Sequence, residues 1–242
     1  TGKLYPGVFG IPEPEEGIEG AGREGLAIVP GLAFDEHLNR LGYGGGFGAI
    51  KAMDRAGSIP DDEIPMIISN WRKASPNICR FWYNTEGAAK AAIQEHRTVK
   101  LKHGITFSYI NRILFIGLPS GRKLAYYDAR IEENAKGKDA ITYAGVNQDT
   151  KAWGRLETWG GKLVENIVQA VARDCLAETM KRVSEGHYQV VMHVHDEIIV
   201  DVPKENKRAL EEITRLMAEP ISWAPGLLLR GDGYETDYYK KD

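Results

Sequence analysis

Residues 188–202 read YQVVMHVHDEIIVDV, an apolar run interrupted at its centre by His193, His195, Asp196 and Glu197. On an alternating strand Met192 and Val194 face one way and the two histidines the other. Asp196-Glu197 then falls where a tight turn belongs, so the stretch predicts a β-hairpin with an acid at its tip. Before it lies GGKLVENIVQAVARDCLAETMKRV (160–183), in which Leu163, Val164, Ile167, Val168, Val171, Ala172, Cys175, Leu176, Met180 and Val183 recur at helical spacing. Asn166, Gln169, Arg173 and Asp174 take the other side of that helix. After the hairpin, KENKRALEEITRLMAEP (204–220) predicts an amphipathic helix, and GLLLRGDGYETDYY (226–239) a strand. Residues 162–242 therefore read α, β-hairpin, α, β, an α+β pattern.

Upstream, the first forty residues are rich in Gly, Pro and Glu without sustained period, which predicts loops and short elements. DDEIPMIISNWRKA (61–74) and SPNICRFWYNTEGAAKAAIQEH (75–96) predict a helical pair, the second with Ser75 as N-cap and Pro76 at its first position. ITFSYINRILFIGLPSGRKLAYYDARI (105–131) predicts a hairpin turning at Pro119-Ser120-Gly121, with a basic tip at Arg122 and Lys123.

The bulk composition excludes little. With 31 Lys and Arg against 34 Asp and Glu, the net charge of −3 requires any nucleic-acid contact to come from local basic patches. Two cysteines far apart, Cys79 and Cys175, suit reduced thiols and no disulfide or zinc framework. No apolar run approaches a membrane span and no signal pattern opens the chain, so a cytoplasmic protein without membrane partners is expected. The abrupt start at Thr1 reads as the interior of something longer.

Three readings compete for the polar cluster in the hairpin. It is a solvated turn with satisfied histidines; or a zinc hydrolase site using His193, His195 and Asp196, though Glu197 and Ile198 stand where that ligand pattern would continue with a further acid and histidine; or a phosphoryl-transfer carboxylate, since a rigidly held acid suits Mg²⁺, which takes one or two carboxylates alongside substrate phosphates.

VHDEIIVDV (194–202) resembles the third motif of family A DNA polymerases, the group that includes DNA polymerase I. In that motif a His-Asp-Glu sits on a palm hairpin and the Asp binds catalytic Mg²⁺. NWRKASPNICRFW (70–82), LPSGRKLAYY (118–127), TYAGVNQDTKAWGRLETWGGKLVENIVQAVARDCLAETM (142–180) and DGYETDYYKKD (232–242) resemble, in order, the phage-encoded branch of the family. The likeness runs from about Arg40 to Asp242, and several ordered matches are stronger than one motif.

The resemblance implies a right-hand polymerase fragment: a degenerate lead over residues 1–40, helical fingers over 41–145, and over 146–242 a C-terminal palm with antiparallel sheet and packed helices. It implies template-directed DNA synthesis with primer-template DNA and dNTPs as substrates. Two Mg²⁺ ions about 3.5–4 Å apart are held by a pair of aspartates in such enzymes. Asp196 matches one of the pair, Glu197 the supporting acid, and His195 the residue that helps place the primer end. Gln169 matches a glutamine that contacts the minor groove of the nascent pair, where both pair types offer acceptors at nearly fixed positions. In LGYGGGFGAIKAM (41–53), Tyr43-Gly44 matches the aromatic pair beside the templating base and nucleotide pocket. Gly44, Gly46 and Ala49 also fit a dinucleotide-binding G-x-G-x-x-A, but the segments around them do not build a βαβ unit.

Two departures stand out. Where the family carries a triphosphate-binding arginine and lysine ahead of that tyrosine, this chain has Gly31 and Asp35, and neither Arg23 nor Arg40 has the spacing to replace them. The second catalytic aspartate has no match in these residues, so one ligand set of the metal pair is expected from elsewhere, including from a second polypeptide. The non-enzymatic alternative is a DNA-binding remnant that uses Lys151, Arg155, Lys162, Arg122 and Lys123 on phosphates.

Overall fold

The computed structural model describes residues 47–236 apart from 55, 56, 136, 148, 149 and 195, with the side chains of 49, 52 and 53 also left out. Before residue 47 it describes only the backbone of five short strands. These are β1 (Leu4–Pro6) paired with β2 (Pro12–Pro14), and an antiparallel trio of β3 (Ile28–Val29), β4 (Leu32–Phe34) and β5 (Arg40–Leu41).

The helical pair is present. After α1 (Phe47–Met53), α2 (Ile64–Ala74) stops where Pro76 bars its predecessor from helical backbone, and α3 (Pro76–Glu95) starts on that proline. Ser75 sits between them in the predicted N-cap position. Its hydroxyl makes no capping bond and lies buried without a partner.

The predicted hairpin is part of a larger sheet. Strands β6 (Val99–Lys100), β7 (Thr106–Ile110), β8 (Ile113–Gly117), β9 (Lys123–Glu133), β10 (Asp139–Val146) and β11 (Trp153–Thr158) form a six-stranded antiparallel meander in chain order. The first expected strand splits at Asn111-Arg112, both with positive φ (50° and 66°), which makes a tight hairpin turn. Residues 145 and 146, the expected domain boundary, are the last two of β10, paired there with Gly154 and Trp153 of β11.

One face of the sheet is core. Phe107, Leu114, Ile116, Tyr126 and Ile141 point to α3, whose Ala88, Ala89 and Ala92 are small enough to let the sheet and the next helix close on it. That helix is α4 (Gly160–Glu185), which adds Leu163, Ile167 and Ala170 to the same cluster. Each fully buried Phe or Leu here contributes about 2 kcal/mol of transfer free energy. The hairpin of β12 (Gln189–Val194) and β13 (Glu197–Asp201), and helix α5 (Ala209–Ala218), pack on α4.

The expected terminal strand does not form: the described part of residues 226–239 has no ladder partner. Gly231 lies against the α5 backbone, where a Cβ would meet the Thr214 carbonyl, and Gly233 lies against Leu210. The segment is a strap on a helix, because its glycines permit close approach to α5 in place of edge pairing.

The N-terminus of α4 carries no acidic residue in its first turn. Glu86 of α3 supplies the charge: its Oε2 accepts from Gly160 N at 3.0 Å and its Oε1 from Lys90 Nζ at 2.8 Å. Burial alone would raise the Glu86 carboxyl, but the Lys90 ammonium and the Gly160 amide outweigh it and hold it below the usual carboxylate range. A depressed carboxyl stabilises above its unfolded value, near 4.5, and loses that contribution as pH falls through its folded value. Glu86→Gln is therefore expected to cost about 1 kcal/mol in urea unfolding at pH 7. The difference should shrink towards zero as the pH is taken well below 4.5.

Candidate catalytic carboxylate and nucleic-acid interface

The hairpin places Asp196 at an exposed tip. Val194 pairs with Glu197 and His193 with Ile198, so Asp196 lies in the turn between the strands, and Glu197 is half-buried as the first residue of β13. His195 lies outside the described residues. The simple alternation expected along β12 is broken by a register shift between Val190 and Met192. This bulge resets the faces, so Met192 stays 42 % exposed and does not join the core, and Val191 is exposed as well.

The polar side of α4 divides into two parts. Asn166 and Asp174, predicted to share that side with Gln169 and Arg173, turn towards the sheet. Asn166 Nδ2 donates to Tyr126 Oη at 2.8 Å, and burial pushes that phenol up to about 12. Asp174, 8 % exposed, accepts from Ser120 Oγ and Arg122 Nε, both at 2.5 Å, and Arg122 Nη2 also donates to Ala170 O at 2.8 Å. The β8–β9 turn is thereby fastened to the helix. Arg122, read as a phosphate contact, spends its guanidinium on this anchor.

Gln169 and Arg173 remain on the exposed edge of α4. Gln169 Nε2 donates to Glu165 Oε1 at 3.3 Å, and Arg173 Nη2 approaches His193 Nε2 of β12 at 3.5 Å. That contact joins the helix edge to the strand leading into the Asp196 tip. Sequence reasoning put Arg173 on the right side of the helix and His193 in the cluster, but no spacing rule pairs residues from two separate elements.

The other predicted contacts are dispersed. Lys162, near the start of α4, pairs with Glu165 at 3.0 Å. Arg155 lies on β11 and donates to Asp128 O at 2.6 Å and Asp128 Oδ2 at 2.7 Å. Lys151 is exposed in the β10–β11 connection. Tyr43, Gly44, Gly31, Asp35 and Arg23 lie outside the described residues.

Among the described residues no three His, Cys, Asp or Glu side chains gather as a metal cage. Asp196 followed by Glu197 places two carboxylates, hard oxygen donors of the kind that divalent ions take, at adjacent positions of the hairpin. What these elements present is an open surface: an amide and a guanidinium on a helix edge, beside an imidazole and a carboxylate on a hairpin.

An α+β domain with an acid-tipped hairpin against a long helix is the class that this geometry defines. The chain is 52% identical over 204 residues to a DNA polymerase of Bacillus phage SP02, across 84% of this chain. It spans 31% of the length of that polymerase. No protein-family model matches the chain, and no solved structure does. No helix among the described residues is long and apolar enough to cross a membrane.

Proposed function

We propose that the chain serves template-directed DNA synthesis as the C-terminal fingers and palm part of a family A DNA polymerase of the phage type, working on primer-template DNA and dNTPs in the host cytoplasm. The observation that carries this reading is the identity to the phage polymerase over 84% of the chain. Exposure of Asp196 on the hairpin whose His193 meets Arg173 of α4 supports it, because a reacting carboxylate and a duplex contact must share one open surface.

In this reading two magnesium ions, one ligand set of which lies outside these residues, supply Lewis acidity. Asp196 is a metal ligand, with Glu197 as its supporting acid. His195 places the primer end, Gln169 tests the minor groove of the nascent pair, and Tyr43-Gly44 border the templating base. Lys162 and Arg155 lie towards the DNA backbone. The facing aspartate comes from polypeptide beyond these residues, in the same protein or a second one.

Primer extension tests this. These 242 residues alone should add no nucleotide, and should do so under template direction when mixed with the part of the SP02 polymerase that they do not span. Salt-sensitive DNA binding without extension in either mixture would favour a non-catalytic DNA-binding remnant instead.

A further inference from the structure

The meander has a second face, away from α3 and α4, which the proposed DNA-binding residues reach only through Arg155. Along β9 the ladder passes from Thr142↔Arg130 to Ala144↔Tyr127, so Asp128 and Ala129 together oppose one residue of β10. Asp128 takes φ 50° in this bulge, rare for a residue with a side chain and a sign of a constrained position. Its carboxylate, 16 % exposed, collects Arg155 at 2.7 Å, Arg130 at 2.8 Å and Arg112 from the β7–β8 turn. Glu132 lies at 3.7 Å from Arg130 and 3.9 Å from Arg155. Three guanidiniums thus share two carboxylates, and Lys123, at the start of β9 over the Phe115 ring, adds a fourth cation.

Exposed rings lie among these cations. Tyr127 (58 % exposed) and Arg155 flank Ala144 from its two sides, and Trp153 (66 % exposed) flanks Val146, two residues further along β10. Thr142 and Ala144 are small, so the centre strand is the floor of a shallow trough walled by Tyr127, Arg130, Arg155 and Trp153, with the carboxylates Glu132 and Glu157 at its Thr142 end.

Pre-positioned cations beside exposed rings on an open antiparallel sheet suit a ligand with both phosphates and unpaired planar bases. We propose that this face binds single-stranded nucleic acid, with Tyr127 and Trp153 stacking on bases while Lys123, Arg112 and Arg130 hold phosphates. The site is separate from the Asp196 surface, so it would engage strand that is not at the primer end.

The test is fluorescence anisotropy of labelled dT and rU oligonucleotides with the 242-residue chain, run in parallel so that the tighter ligand names the strand type. Tyr127→Ala with Trp153→Ala should weaken binding by roughly tenfold per ring. Lys123→Gln with Arg112→Gln should lower the slope of log affinity against log salt by about 1.4, two single-strand phosphate contacts' worth. The altered side chains are exposed, so thermal midpoints should stay at the parental value, which separates lost contact from lost fold. Parental affinity and slope in both double variants would overturn the proposal; a face covered by another protein segment gives that result.

Discussion

Replacing Asp196 by alanine in a polymerase that contains this segment is expected to lower the rate of nucleotide addition by roughly 10³-fold or more, with primer-template affinity nearly unchanged. The two effects separate because of where the residue sits. Asp196 is exposed in the turn before β13 and supports no core contact, so its loss does not disturb β12, β13 or their packing on α4. Duplex affinity depends on many phosphate contacts spread over a surface, and the Gln169–Arg173 edge is untouched by the change. In the proposed function, what disappears is a fixed negative charge at the place where the reaction needs cations held. A conservative Asp196→Asn variant should be nearly as slow, since an amide keeps the shape and loses the charge.

The largest expected effect on stability is Gly160→Ala, at about 3 kcal/mol. Gly160 opens α4 where that helix crosses α3, and a Cβ there would fall inside the van der Waals envelope of the Trp82 carbonyl. The clash is with backbone on one side and with the Glu86 side chain on the other, so no rotamer change relieves it. Separating the helices would also break the Glu86 cap on Gly160 N and disturb the Trp71–Trp82 stack at 5.5 Å. Urea unfolding at pH 7 measures the loss, and Gly154→Ala serves as control, because that strand glycine has nothing near its would-be Cβ. Equal midpoints for the two variants would mean that α4 does not enter so close to α3.

Much of this arrangement was legible in the residues. The 3.6 period of α4 and α5, the proline start of α3 and the acid-centred turn of β12–β13 are local signals, and local signals survive folding. The meander was only half visible. TYAGV in β10 contains a glycine and WGRLET in β11 is polar on its exposed face, so neither run alternates cleanly; their pairing depends on β9, and β9 itself carries a bulge. Inward-turned polar side chains were hidden for a related reason. Asn166 and Asp174 look like solvent-facing residues until Tyr126, Ser120 and Arg122, some 40 to 54 positions earlier, are brought beside them. The same long-range closure pairs Arg122 with Asp174 and Arg155 with Asp128. Asp196 is singled out only by the resemblance of its motif, since a hairpin acid alone reads equally well as a solvated turn.

The central claim is that the hairpin tip between Val194 and Glu197 is where nucleotide addition takes place. Rapid-quench single-turnover extension by the reconstituted enzyme, parental and Asp196→Ala side by side with their primer-template Kd values, tests it most directly. A rate lower by roughly 10³-fold at matched Kd is the predicted result. Extension by the variant at the parental rate would contradict the account.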